Sequence, residues 1–322
     1  MDENNIERKT TPDPTSCEVL LQHYGEADPG KIGNKLTFYG IDGKDIYNIT
    51  PPFLNDGVLV IAARVEARED QAHSEVCFFK SLNDSTDFVW TKIDINPLNL
   101  QDPFVTFIDG QIIVGGVEVS PPPFGSEDNS LTYRTVFYKG KSLSTLEKSA
   151  TGPEKMKDIR IIRLPNGHIG VFTRPQGHTN GGGKIGYIEL DSLEDLNDSA
   201  NFLKAKIIEG QFALGEWGGA NQLHLLPGGK IGVIGHIACF DEEENKHYYG
   251  MSFVFDPESD IASPLKIIAT REDFPSGPSK KPDLGDVIFV GGIYEKDGQW
   301  YLYAGLGDVE SGVIPIEYPF GS

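Results

Sequence analysis

Gln101-Asp102-Pro103-Phe104-Val105-Thr106-Phe107-Ile108-Asp109-Gly110-Gln111-Ile112-Ile113-Val114-Gly115-Gly116-Val117-Glu118 is the stretch on which the reading of the fold turns. An acid opens a short apolar strand, Asp109-Gly110 reverses the chain, and the return strand ends on a second acid. Asp-Gly between two apolar runs is among the strongest local hairpin signals, because both residues accept the positive φ of a tight turn. Weaker copies recur as Asp56-Gly57 before 58–61, Asn166-Gly167 before 169–172, Gly228-Gly229 before 231–234 and Asp297-Gly298 before 300–303. With Gly110 counted in its place, the turn glycines fall 53, 57, 62 and 69 residues apart.

Each return strand precedes a polar loop and further β-rich sequence, as at 75–79, 135–138, 184–188 and 251–255. A repeat of roughly 50 to 65 residues with three or four antiparallel strands cannot bury both its faces alone and has to stack on its neighbours. Five such units predict an all-β chain folded as a five-bladed β-propeller, with a pair of two-sheet sandwiches as the alternative. Residues 35–39 are expected to supply the outer strand of the last blade. Residues 1–16 read as a flexible leader and 17–322 as a single catalytic domain. Helical periodicity is scarce, and 193–202 reads as a loop or a single helical turn.

The formal net charge is −20 over 322 residues. Such a chain repels nucleic acid and anionic membrane surfaces, and suits a neutral ligand or an anion held in a local cationic pocket. Cys17, Cys77 and Cys239 are odd in number and far apart, which predicts reduced thiols rather than a disulfide framework or zinc site. The first 16 residues lack the apolar run of a secretory signal or membrane span, so a cytoplasmic protein is expected. No His or Cys cluster has metal-ligand spacing, and neither a metal nor a cofactor is expected.

With the turns aligned, the residues opening the first strands are Asn48, Asp102, Asp158, Asn221 and Asp286. The return strands end near Arg64 and Glu66, Glu118, Arg174, His236 and Asp308. A hairpin brings these two sets to one end. Carboxylates facing each other across a pocket suit glycosidic bond chemistry, in which one protonates the leaving oxygen. Arg64, Lys157, Arg160, Arg174 and His236 lie in the same segments and could instead hold phosphate oxygens. Trp217, in a glycine-rich run, is a candidate for stacking on a sugar ring. Gly181-Gly182-Gly183-Lys184 lacks the spacing of a phosphate loop and reads as a flexible loop, with His178 at its rim. Glu242-Glu243-Glu244 reads as a solvated loop.

Gln101-Asp102-Pro103-Phe104 followed by Asp109-Gly110 resembles the Glu-Asp-Pro-Arg motif of the five-bladed β-mannoside phosphorylases. From about 17 to 320 the chain is similar to a once uncharacterised domain family that includes the Leishmania mannosyltransferase/phosphorylases of mannogen metabolism. Asp45-Ile46-Tyr47-Asn48-Ile49-Thr50-Pro51-Pro52-Phe53, Ala63-Arg64-Val65-Glu66, Gly115-Gly116-Val117-Glu118, Lys157-Asp158-Ile159-Arg160 and Trp217-Gly218-Gly219-Ala220-Asn221 carry that likeness. The resemblance implies an inverting enzyme acting on β-1,2-linked manno-oligosaccharides with phosphate, mannose 1-phosphate or GDP-mannose. Asp102 would be the general acid, its proton passing through a sugar hydroxyl while phosphate attacks the anomeric carbon. Asn48, Arg64, Glu66, Arg160, Arg174, Trp217, Asn221 and His236 would contact substrate. Phe104 and Gln101 replace the Arg and Glu of the phosphorylase motif. That departure keeps two alternatives open: a hydrolase using Glu118, Asp158 or Asp286 as a second carboxylate, and a carbohydrate-binding propeller without turnover.

Overall fold

The computed structural model describes residues 13–27, 32–69, 73–82, 88–121, 130–177 and 181–321. The first twelve residues of the expected leader, and His178, lie outside them. The described chain is all-β, built from five successive antiparallel units. The first is organised on Val58–Glu66, which pairs with Asp45–Tyr47 and Phe53–Asn55 on one side and Glu75–Ser81 on the other, followed by Val89–Lys92. The second runs Gln101–Ile108, Gln111–Ser120, Thr132–Gly140 and Glu147–Thr151. The third runs Arg160–Arg163, Ile169–Thr173, Gly186–Leu190 and Lys206–Ile207. Trp217–Leu225, Ile231–Phe240 and Lys246–Asp256 make the fourth, edged by Lys266–Ala269. Asp286–Lys296, Gln299–Leu306 and Glu310–Ile316 make the fifth.

Hydrogen bonding joins these units into four sheets, because a short parallel contact of His247 and Tyr248 with Asp286 and Val287 fuses the fourth to the fifth. The N-terminal run divides. Asn34–Lys35 pairs with the last strand, as expected, whereas Thr37–Tyr39 pairs in parallel with Val89–Lys92 of the first unit.

Packing follows from the period of two along a strand, which sends alternate side chains to opposite faces. In Val58–Glu66, Val60 and Ala62 enter a cluster shared with Ile112 and Val114 of the second unit. Ile61, Ala63 and Val65 enter another, shared with Tyr303 and Val313 of the last. Three further clusters join the second unit to the third, the third to the fourth and the fourth to the fifth. Strands buried on both faces read as nearly continuous apolar runs, which is why 58–65 and 231–238 contain almost no polar residue.

The helix Cys17–Ala27 is unforeseen. Cys17, Leu20, Leu21 and Tyr24 fall on one helical stripe and join the cluster between the third and fourth units. The three cysteines are free thiols. Cys17 and Cys239 lie side by side, and that contact, with burial, pushes the Cys17 thiol above its usual range. Residues 193–202 form single helical turns, Glu194–Asn197 and Ser199–Phe202. Among the described residues no helix is long and apolar enough to cross a membrane.

Trp90 is fully buried in the cluster shared by the first and last units. Trp90→Ala is expected to cost about 3–5 kcal/mol of stability in urea denaturation; a loss below about 1 kcal/mol would show that this contact between the first and last units contributes little.

Candidate active site

Four polar residues that the turn alignment brings together owe their placement to backbone kinks. Asn48, Asp102 and Asp158 have φ of 46°, 49° and 59°, in the left-handed region that Asn and Asp tolerate better than most residues. Asn221 sits where the register shifts in Trp217–Leu225. The corresponding shift in the fifth unit falls between Val290 and Gly292, not at Asp286. Asp286 therefore lies five residues ahead of the kink, where it accepts from His247 at 2.6 Å and Tyr249 at 3.0 Å. The alignment that grouped it with the others fails for that reason. A side chain at Gly291 would strike the Ile49 carbonyl, so this position contributes only backbone.

A cavity of about 310 Å³ opens at this end of the units, lined among others by Asn48, Arg64, Asp102, Asp158, Arg174 and His236. Asp102 Oδ1 accepts from Asn48 Nδ2 at 2.7 Å and Arg64 NH1 at 3.1 Å. Both bonds converge on one oxygen, leaving Oδ2 as the oxygen able to carry a proton toward a ligand. Arg64 turns its other edge to Glu66 Oε2, with Nε at 3.0 Å and NH2 at 2.8 Å. Glu66 is fully buried and also accepts from Tyr47 Oη at 2.6 Å, from Ser74 and from Lys280. It therefore lies behind the cavity and holds its wall.

Asp158 is fully buried against Arg174 at 3.1 Å and Arg160 at 3.8 Å. Burial pushes its carboxyl up, but Arg174, Lys157 and Arg160 pull it further down, to about 2. Arg174 and Arg160 also bond to backbone carbonyls, Gly218 and Gly182 for the first, Asn221 and Ile159 for the second. Arg160 lies outside the cavity, its guanidinium 4.2 Å above the Phe104 ring. Burial lowers its pKa to about 10.

His236 departs from the expectation of a cation. Burial, then the Arg174 charge, lowers its pKa to about 3, so it is neutral near pH 7. Its Nδ1 lies 2.8 Å from Asn221 Oδ1, which can only accept there, so the proton sits on Nδ1 and Nε2 is an acceptor. Trp217 departs as well: it is buried, donates to Tyr248 Oη at 3.1 Å and packs on Phe240, behind the cavity wall. Tyr248, half-buried and stacked on His236, takes the position on the cavity wall. Gly182 and Gly183 have a packing role rather than that of a loose loop, since a Cβ on Gly182 would meet Trp217 at 2.6 Å and one on Gly183 would meet Arg174 at 2.7 Å.

Of the three second-carboxylate candidates, Glu118 pairs with Arg134 and Lys148 outside the cavity, and Asp286 is outside it too. Asp158 lines it but is held charged. Asp308, named at the outset only as a strand end, lines the cavity with φ of 58°. Burial and the nearby Asp102 raise its pKa. The reading from residues also passed over Tyr47, Lys246, Tyr248, Lys280 and Lys281, all on the cavity wall. A Lys280-Lys281 pair in so acidic a chain was the available signal. Among the described residues Lys157 and Lys281 form no ion pair with a carboxylate, although both face the cavity. Among these residues no group of three His, Cys, Asp or Glu could hold a metal ion.

The family described as "Protein of unknown function (DUF1861)" matches residues 27–322. No curated protein matches the chain. Among solved structures, MPT-4, a mannose phosphorylase from Leishmania mexicana in complex with phosphate ion, is 34% identical over 94% of this chain and 93% of its own, with a TM-score of 0.85. MPT-1, a GDP-Man-dependent mannosyltransferase from the same organism, is also 34% identical, over 95% and 96%, with a TM-score of 0.84. A β-1,2-mannobiose phosphorylase from Listeria innocua shares the fold at 16% identity over 86% and 91%, with a TM-score of 0.61.

Because His236 takes up a proton at about 6.5 when unfolded but only near 3 when folded, the unfolded chain binds more protons between those values. Its contribution to stability is complete above pH 6.5 and is lost as pH falls toward 3. Urea titrations at pH 7, 5.5 and 4 are expected to show a shallower pH dependence for His236→Asn than for wild type. Parallel curves would refute a buried neutral imidazole.

Proposed function

The chain belongs to the DUF1861 family, and from its cavity we propose that it is an inverting β-mannoside phosphorylase or mannosyltransferase. The observation that carries this reading is the meeting of Asp102 with a set of lysines in one cavity of a chain whose net charge is −20. Cations concentrated against the overall field fit an anionic co-substrate, inorganic phosphate or the diphosphate of GDP-mannose. Lys157 and Lys281, without carboxylate partners among the described residues, are assigned to it. Asn48, Asp308 and neutral His236 offer acceptors and donors to sugar hydroxyls, while Arg64 and Glu66 hold Asp102 in place.

In this reading Asp102 delivers its proton to the leaving oxygen by way of a sugar hydroxyl, and phosphate attacks the opposite face of the anomeric carbon. The product is α-mannose 1-phosphate, and the reverse reaction lengthens a β-1,2-linked manno-oligosaccharide. MPT-4 with its phosphate ion and MPT-1 with its GDP-Man dependence support both anionic co-substrates. The Phe104 departure does not empty the cavity of charge, because Phe104 lies in the core beneath Arg160. A hydrolytic reading needs a basic second carboxylate in the cavity, and of those considered only Asp308 has both the position and a raised pKa.

The fold proposed for residues 17–322 is a single five-bladed propeller. Five antiparallel units with a hydrophobic cluster between each consecutive pair, and a fifth between last and first, support it.

Incubation with β-1,2-mannobiose and phosphate is expected to yield mannose 1-phosphate. Release of free mannose without phosphate would overturn phosphorolysis in favour of hydrolysis. Asp102→Asn is expected to lower kcat by about 10² to 10⁴-fold, the usual contribution of a general acid. For Lys157→Ala, the KM for phosphate should rise about tenfold, as for one charge-assisted hydrogen bond, with kcat within a few-fold; an unchanged KM would remove Lys157 from the anion site.

A further inference from the structure

Two of the three cysteines meet, and the chemistry described so far makes no use of them. Cys17 opens the helix Cys17–Ala27, and its backbone N–H donates to Glu216 Oε1 at 2.7 Å. Trp217 pairs with Ala238 in an antiparallel register, so Glu216 stands next to Cys239 across that strand pair. Cys239 also lies two residues beyond Ile237 and shares its face, the one that carries the cluster into which Cys17 packs. One contact through the backbone and one through the core therefore bring the start of the helix to Cys239, where the two thiols are hydrogen-bonded. Further along, the helix is fixed separately, by Tyr24 Oη donating to Asp273 Oδ2 at 2.8 Å. Cys77 is buried elsewhere, in the cluster shared by the first and last units.

The two thiols are unequal in the way that exchange chemistry needs. Cys17 is buried and Cys239 is partly exposed, so a dissolved reagent meets Cys239 first. The hydrogen bond from Cys17 lowers the Cys239 pKa against the effect of burial, and the His247 charge adds to it. Burial works against that charge in turn, but Asp286 at 2.6 Å and Asp241 at 3.2 Å outweigh it and raise the His247 pKa. Glu216 and Asp286 oppose the Cys239 thiolate more weakly. An accessible thiol that ionises readily, beside a buried one that does not, is the arrangement of an attacking and a resolving cysteine.

We propose that Cys17 and Cys239 form a reversible disulfide that clamps the helix Cys17–Ala27 to the fourth unit, with a low-molecular-weight disulfide such as oxidised glutathione as the oxidant. The Cys239 thiolate attacks one sulfur of glutathione disulfide, forms a mixed disulfide and releases a first glutathione, which carries the proton that Cys239 gave up. Forming that mixed disulfide removes the hydrogen bond to Cys239 that is the largest cause of the raised Cys17 pKa, and so frees Cys17 to ionise. Cys17 Sγ then attacks Cys239 Sγ, the protein disulfide forms, and a second glutathione leaves with the Cys17 proton. In all, two protein thiols lose two electrons and two protons, and one glutathione disulfide becomes two glutathione thiols. The clamp adds a covalent bond at the end of the helix opposite the Tyr24 contact, and it is independent of what the catalytic cavity turns over.

The test equilibrates the full-length reduced protein with mixtures of reduced and oxidised glutathione, quenches in acid and maps the thiols by alkylation and peptide mass spectrometry. Two of the three thiols are expected to disappear together, with a cross-linked peptide joining Cys17 to Cys239, reversal by dithiothreitol and Cys77 unchanged. Cys17→Ser should stop at a glutathione adduct on Cys239, and Cys239→Ser should give neither the cross-link nor an adduct on Cys17. In the oxidised wild type, hydrogen exchange of the amides of 17–27 is expected to slow about tenfold or more relative to the reduced protein. The wild-type measurements decide the matter even where a serine variant fails to fold. Three thiols surviving the most oxidising mixture, a wild-type adduct on Cys239 that never resolves, Cys77 reacting as fast as Cys239, or unaltered exchange in the helix of the cross-linked protein would each overturn the proposal.

Discussion

A carboxylate without solvent contact, Glu66, holds the catalytic wall together. A buried charge is costly unless its lone pairs are satisfied, and Glu66 meets that demand with Arg64, Tyr47, Ser74 and Lys280. Those partners come from both sides of the first unit and from the segment leading into the last. Arg64 then passes the constraint on: with Nε and NH2 committed to Glu66, its NH1 is fixed toward Asp102 Oδ1. The orientation of the proposed acid is thus set from behind, by a residue that touches no ligand. Burial and the Arg64 charge lower the pKa of Lys280, an arrangement in which the lysine serves the wall as much as the cavity.

A second constraint acts through the backbone. Left-handed backbone at Asn48, Asp102 and Asp158, beside or within the first strands of their units, and at Asp308 in the turn of the last unit, directs polar side chains to the cavity. The small residues nearby complete the arrangement. A Cβ on Gly219 would meet Arg174 Cδ at 2.8 Å and His236 Cε1 at 2.9 Å, so the Trp217-Gly218-Gly219 run gives those two side chains their room.

The arginines and lysines divide the electrostatic work. Arg160 and Arg174 are anchored by backbone carbonyls and by Asp158, and Arg160 rests on Phe104. The more exposed lysines are left to face an incoming anion. Phe104, where the phosphorylase motif has Arg, is better understood as part of the core, with Phe137 at 5.7 Å and Gly115 beneath its ring, than as a lost substrate contact.

The repeat of Asp-Gly and Asn-Gly turns, with apolar runs after each, was enough to determine five antiparallel units and an all-β chain, because hairpin register is a local property. The same local logic brought Asn48, Arg64, Asp102, Asp158, Arg174 and His236 to one cavity. It could not find the helix Cys17–Ala27, whose short stripe gains its stability from a cluster built by distant strands. Nor could it tell cavity wall from support. Whether His236 is charged, whether Glu66 and Trp217 face a ligand or the core, and whether Asp286 or Asp308 joins the site depend on burial and neighbours brought together across units. Those are long-range terms: desolvation and Coulomb interactions depend on distances that turn spacing leaves open, and the folded chain alone decides them.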